Sequence, residues 1–282
     1  MKDTDKILVY DDACPLCVAY TGAFVKTGLL TTEGRKPFSE ASPELLHAIN
    51  WQRSKNEIPL LDLNTNKVLY GIDALLEILG SKCRLIKNIG TCKPVNWLLK
   101  RLYNFISYNR KVIVAAKTPA SKIDCSPSFN LFYRITFMIV FLLFNTVMLY
   151  PLHRYLLLQM PLYSLSANRL LLLHFILVFI NCTMAAFLPK RAAVEYLGQV
   201  NMLALVTILL LIPLLITNSI IHTGSLVNYM YLSLLTLVII KEYFRRMDYA
   251  NILRRYRLIV LINLLCLIGF CVCLFSSSIY SK

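Results

Sequence analysis

Two units in tandem are expected from this sequence: an α/β N-terminal domain, then an all-α multi-pass transmembrane domain of about five helices. Three observations carry that expectation. The 282 residues are 57% hydrophobic with a mean hydropathy of +0.59, and the apolar excess falls after residue 130 in runs of membrane-crossing length. Between residues 6 and 80, short strand-like and helix-like stretches alternate instead. Lysine and arginine cluster beside the apolar runs, as in the cytoplasmic loops of membrane proteins. The expected division is 1–80 for the α/β domain, 81–130 for a basic, membrane-proximal connector and 131–282 for the helical domain.

In chain order, Ile7-Leu8-Val9-Tyr10 reads as a strand over 6–10. Cys14-Pro15-Leu16-Cys17 follows directly. From Pro15 to about Leu29 the spacing predicts a helix with Leu16, Tyr20, Phe24 and Thr27 on one face, ending near Gly28. Residues 34–38 hold a faint second strand whose one large apolar residue is Phe38. Ser42-Pro43-Glu44 opens a helix, with serine as N-cap, proline in the first position and Leu45, Leu46 and Ile49 inward. The runs 57–63 and 67–70, separated by Asn64-Thr65-Asn66, read as a hairpin. Residues 71–80 form a short helix with a glycine stop.

The order βαβ, α, ββα is the thioredoxin/glutaredoxin arrangement. There a cis-proline loop faces the C-x-x-C, and Ile58-Pro59 falls at that place. A cis X–Pro bond is a minority state needing structural support, and the sequence leaves the isomer open.

The C-x-x-C is a candidate redox dithiol on a helix N-terminus. The first turn of a helix offers unpaired N–H groups and partial positive charge, both of which favour a thiolate. Cys14 is the expected nucleophile. Pro15 occupies the position where a missing N–H costs least, and Cys17, three residues on, is placed to resolve a mixed disulfide. Asp11 has two readings, proton transfer to the dithiol or capping of the turn through backbone N–H groups. With Asp12 it also opposes the helix terminus, because a nearby carboxylate raises a thiol pKa.

Tyr10-Asp11, Cys14-Pro15-x-Cys17 resembles the D-x-x-C-x-x-C signature of the DCC family of thiol-disulfide oxidoreductases. Gly71-x-Asp73-Ala74-Leu75 is similar to that family's later glycine-x-aspartate-alanine helix start. Leu102-Tyr103 with Asn109-Arg110 looks like the tyrosine and asparagine-arginine pair near the end of its domain. The resemblance covers residues 6 to about 112 and implies a thioredoxin-like fold, with Cys14, Cys17, Asp11 and Pro59 as the site. Asp12 departs from the family pattern, which has glycine there, and so bears on the turn's geometry and charge.

From Ser81 to Ile123 there are ten lysines or arginines and no acidic residue. Trp97, Leu98, Leu102, Phe105, Ile106 and Ile113 recur at helical spacing, which suits a helix on an anionic membrane surface or one packed on the preceding domain. Thr118-Pro119-Ala120-Ser121 reads as a linker. Apolar spans follow near 135–152, 170–188, 197–216, 221–240 and 258–275, the fourth interrupted by His222 and Gly224 if started early. Arg110, Lys111, Lys117, Lys122 and Arg134 precede the first span. Lys190 and Arg191 join the second to the third, and Lys241, Arg245, Arg246, Arg254, Arg255 and Arg257 join the fourth to the fifth; the alternate loops hold Arg154 and Arg169, and the tail Lys282. The positive-inside rule then predicts a cell-membrane protein with a cytoplasmic N-terminal domain and an outside C-terminus. No signal peptide is expected at the start. Within the spans, Asn145, His174, Asn181, Gln199, Asn201 and Asn263 read as interhelical hydrogen-bonding groups or as a ligand pocket.

The net charge of +15 is thus accounted for by a membrane, and no nucleic-acid recognition motif accompanies it. Nine scattered cysteines do not form a disulfide framework. The leading expectation is a membrane-anchored thiol-disulfide oxidoreductase with no cofactor beyond the Cys14–Cys17 pair. It would act on a protein or small-molecule thiol or disulfide, within a lipid bilayer and beside a possible membrane partner protein. The alternatives are a membrane binding or assembly protein whose thioredoxin-like module docks with an idle dithiol, and a soft-metal C-x-x-C protein.

Overall fold

The computed structural model describes residues 5–115, 127–161, 163, 165–221 and 223–276. Lys117, the linker reading at Thr118–Ser121, Lys122, His222 and Lys282 lie outside them. The chain divides into two compact units after Tyr133.

The first unit is built on a four-stranded sheet. Strand β1 (Lys6–Tyr10) is followed by helix α1 (Pro15–Lys26), strand β2 (Arg35–Pro37), helices α2 (Pro43–Ala48) and α3 (Trp51–Ser54), and the hairpin strands β3 (Pro59–Asp62) and β4 (Lys67–Tyr70). The sheet order is β2-β1-β3-β4. β1 runs parallel to β2 and antiparallel to β3, with Leu8 opposite Leu60.

Strand residues point alternately to the two faces, and the two cores follow that alternation. Leu8, Tyr10 and Leu60 pack with Leu30, Ile58, Ala74 and Ile78, while Val9 and Leu61 pack with Phe38, Leu45 and Ile49. The faint strand at 34–38 therefore exists, and Phe38, just past its end, supplies the second core rather than the sheet. Ser42 accepts from the Leu45 N–H at 3.3 Å, capping α2.

Helix α4 (Gly71–Gly80) follows β4, then α5 (Arg84–Thr91) and α6 (Lys93–Ile113). Gly71 has φ +57°, and a Cβ there would lie 3.1 Å from the Tyr103 ring, so glycine serves both the left-handed backbone and the close approach of α6. The stretch expected as a separate connector thus folds, through its first 33 residues, as two helices of the α/β unit. No peptide bond among the described residues is cis, so Ile58–Pro59 is trans. The isomer that the sequence left open is thus assigned: Pro59 begins β3, and the Ile58 N–H is donated to the Tyr103 hydroxyl at 2.9 Å.

The second unit is helical. Helix α7 (Leu131–Tyr155), whose first turn belongs to the α/β unit, is followed by α8 (Ala167–Ala186), α9 (Lys190–Ile221), α10 (Ser225–Tyr249), α11 (Ile252–Arg255) and α12 (Arg257–Ser276). Five of these helical segments are long and apolar enough to cross a membrane. The fourth starts at Ser225, after the Gly224 that weakened the sequence signal.

The polar residues foreseen within the spans all find partners. Asn145 donates to Asn201 at 3.2 Å, Asn201 to the Met138 carbonyl at 2.8 Å, and Tyr196 and Asn263 both to Asn181 at 2.7 Å. His174 meets Thr146 at 3.0 Å. Gln199 donates to Glu195 and accepts from Arg246, each at 2.9 Å. Apart from Gln199–Glu195, which lies within α9, these pairs run between helices, where a side-chain amide finds its partner on a neighbouring helix.

A candidate dithiol site at the end of the central strand

β1 ends at Tyr10, and the chain turns through Asp11-Asp12-Ala13 into α1. The turn is held from within: Asp11 Oδ1 accepts from the Ala13 N–H at 3.0 Å and its carbonyl from the Cys14 N–H at 3.2 Å. Of the two readings for Asp11, the capping geometry is the one present. Asp12 needs no left-handed backbone, since among the described residues the non-glycine positions with positive φ are Asn66 and Asn251. A side chain fits there, and the departure from glycine leaves the turn intact.

Cys14 is the N-cap of α1, with extended backbone (φ −107°, ψ 109°) and Pro15 as the first helical residue. Its carbonyl accepts from the Val18 N–H at 3.0 Å. Cys17 lies one turn on, facing inward. Both thiols are free and buried, with 8% and 4% of their surface exposed. Pro59 stands at the same end of the sheet, because β3 runs antiparallel to β1 and starts where β1 finishes.

Arg110, from the last turns of α6, completes the cluster. Its Nη2 lies 3.1 Å from Asp11 Oδ2 and also donates to the Lys55 carbonyl at 3.1 Å, while Nη1 lies 3.9 Å from Cys17 Sγ. The ion pair is buried, its two side chains 8% and 9% exposed. The two terminal nitrogens of the guanidinium thus meet carboxylate, carbonyl and thiol, which offsets the cost of burying the charge.

The electrostatics separate the two cysteines. A hydrogen bond from the Cys17 thiol, reinforced by the Arg110 charge and the Cys17 backbone N–H against the cost of burial, lowers the Cys14 thiol to about 6. The same hydrogen bond, together with burial, pushes Cys17 upward. Burial raises Asp11, and the Arg110 charge opposes it. The two thiols are thus shifted in opposite directions, Cys14 toward the thiolate and Cys17 toward the retained thiol. Alkylation of Cys14 in the reduced protein is expected to follow the thiolate, with a midpoint near pH 6. It falls about tenfold per pH unit below that value and is flat above it, where an ordinary cysteine would still rise to about pH 8.5. Rates of iodoacetamide labelling against pH, read at Cys14 by mass spectrometry, check it.

Of the residues expected at the site, Asp11, Cys14 and Cys17 come together, and Pro59 lies at the same sheet end in a trans bond. Arg110 was not expected there, and neither were Tyr20 and Tyr103, two half-buried tyrosines near Cys17 whose phenol ionisation is opposed by desolvation. The signal for two of them lay in the Leu102-Tyr103 and Asn109-Arg110 pairs. No cluster of three or more His, Cys, Asp or Glu side chains suited to a metal ion occurs among the described residues. Comparison of the chain with protein-family models, curated proteins and solved structures finds no match.

Proposed function

We propose that this protein is a membrane-anchored thiol-disulfide oxidoreductase that works through Cys14 and Cys17, and that its first unit is a thioredoxin-like domain. The observation that carries the reading is a buried C-P-x-C at a helix N-terminus beside the Asp11–Arg110 ion pair, whose two thiols are shifted in opposite directions by the hydrogen bond between them. The sheet order β2-β1-β3-β4, with the dithiol leaving the end of β1, supports the fold assignment.

In the reaction, the Cys14 thiolate attacks one sulfur of a substrate disulfide, and the other sulfur leaves as a thiolate that takes a proton from water. Cys17 then loses its proton and attacks Cys14 Sγ. The second substrate thiol departs, the substrate has gained two electrons, and the protein holds a Cys14–Cys17 disulfide. Turnover needs a dithiol reductant, and a reducing cytoplasm favours this direction. A redox titration with alkylation of the remaining thiols tests the reading. Cys14 and Cys17 should convert together as one two-electron couple; independent titration with no disulfide between them would overturn it.

The clustering of Lys and Arg at alternate ends of the spans supports a cytoplasmic first unit. An epitope inserted at Thr65, in the exposed hairpin turn, should bind antibody only in permeabilised cells. Staining of intact cells would reverse the orientation.

A further inference from the structure

Helix α6 turns its polar side inward. Ser107 and Arg110 are buried, as are Asn109 and Val112 toward its C-terminal end, while Trp97, Leu98, Leu102 and Ile106 are exposed, Trp97 by 62%. The preceding helix continues the feature, with Leu85, Ile86 and Ile89 exposed on one side of α5. An apolar face spanning two adjacent helices is more than scattered surface hydrophobes.

The charge around it has one sign. The α5–α6 segment contains no acidic residue. Glu77 and Asp73 of α4 draw Lys87 and Lys100 to themselves at 2.6 and 2.8 Å. Arg84 and Lys93 remain exposed with no acidic partner among the described residues, and the Arg101 guanidinium lies 5.6 Å from the centre of the Trp97 ring. A tryptophan within an apolar stripe flanked by cations is the chemistry of a helix lying in the headgroup layer of an anionic bilayer.

A second observation ties α6 to the start of the first membrane-length helix. The first turn of α7, where the chain starts its first membrane-length helix, is fastened to α6: Tyr133 stacks on Tyr108 with ring centres 5.0 Å apart, and its carbonyl accepts from Asn109 at 3.1 Å. We propose that the exposed α5–α6 face lies in the interfacial layer of the anionic bilayer that the chain enters at α7. The inference does not depend on the redox reading, because it uses neither thiol.

Trp51 and Trp97 are the two tryptophans of the chain, so Trp51→Phe leaves Trp97 as the only indole reporter. In the full-length variant in nanodiscs, brominated phosphatidylglycerol should quench Trp97 emission by about half, brominated phosphatidylcholine of the same chains clearly less, and aqueous iodide little. Adding Leu98→Glu and Leu102→Glu, both at exposed positions, should remove the lipid quenching while circular dichroism stays unchanged. Three results would overturn the proposal: quenching by iodide instead of lipid, protection from both as when another protein or a second copy covers the face, or equal quenching by the two lipids.

Discussion

Replacing Cys17 by alanine in the full-length protein is expected to accumulate mixed disulfides through Cys14, whereas Cys14→Ser accumulates none. The attacking thiol survives the first change, and the step removed is the intramolecular one. Positioned groups reach effective molarities on the order of 10⁵ M or more, so an adduct that Cys17 normally clears should live at least about a hundredfold longer. Cys17→Ala also deletes the hydrogen bond that stabilises the Cys14 thiolate, and its labelling midpoint should move upward from about 6, slowing capture without abolishing it. Non-reducing electrophoresis followed by mass spectrometry reads the adducts and names the substrates. Equal trapping by the two variants would sink the assignment of attacking and resolving thiols.

Arg110→Met is expected to cost about 3–5 kcal/mol, because it leaves the Asp11 carboxylate buried with no opposing charge. Thermal unfolding of the detergent-solubilised protein would show it as a lower midpoint for the α/β unit. Adding Asp11→Asn should restore much of that loss, since an amide still accepts from the Ala13 N–H and no uncompensated charge remains. The redox effect should not be restored. The Arg110 charge helps hold Cys14 as a thiolate, so labelling in the double variant should keep a raised midpoint. If stability and labelling midpoint recover together, Arg110 acts only by holding the fold.

The elements of the α/β unit were largely legible because their signals are local. The Ile7–Tyr10 run, proline after Cys14, the serine cap at Ser42 and the glycines bounding residues 71–80 each act within a few residues, and the observed boundaries follow them. The apolar runs after residue 130 were legible for the same reason: bilayer thickness sets their length, and no distant residue is needed to recognise them.

The sequence by itself determined that a C-P-x-C stands between a strand and a helix, that a basic stretch free of acidic residues follows the α/β elements, and that five membrane-length apolar runs come after it. Only the tertiary structure decided what sits beside the thiols. Arg110 reaches Asp11 across 99 residues, and it does so because α6 packs along α4 and the start of β3 through Tyr103 and Gly71. It also decided which side of α6 faces inward. Helical spacing shows that Trp97, Leu98, Leu102 and Ile106 share a face, yet an apolar stripe fits a protein core or a lipid surface equally well. The structure makes the choice: Arg110 reaches Asp11 and Tyr103 reaches the start of β3, while Trp97, Leu98, Leu102 and Ile106 are left exposed.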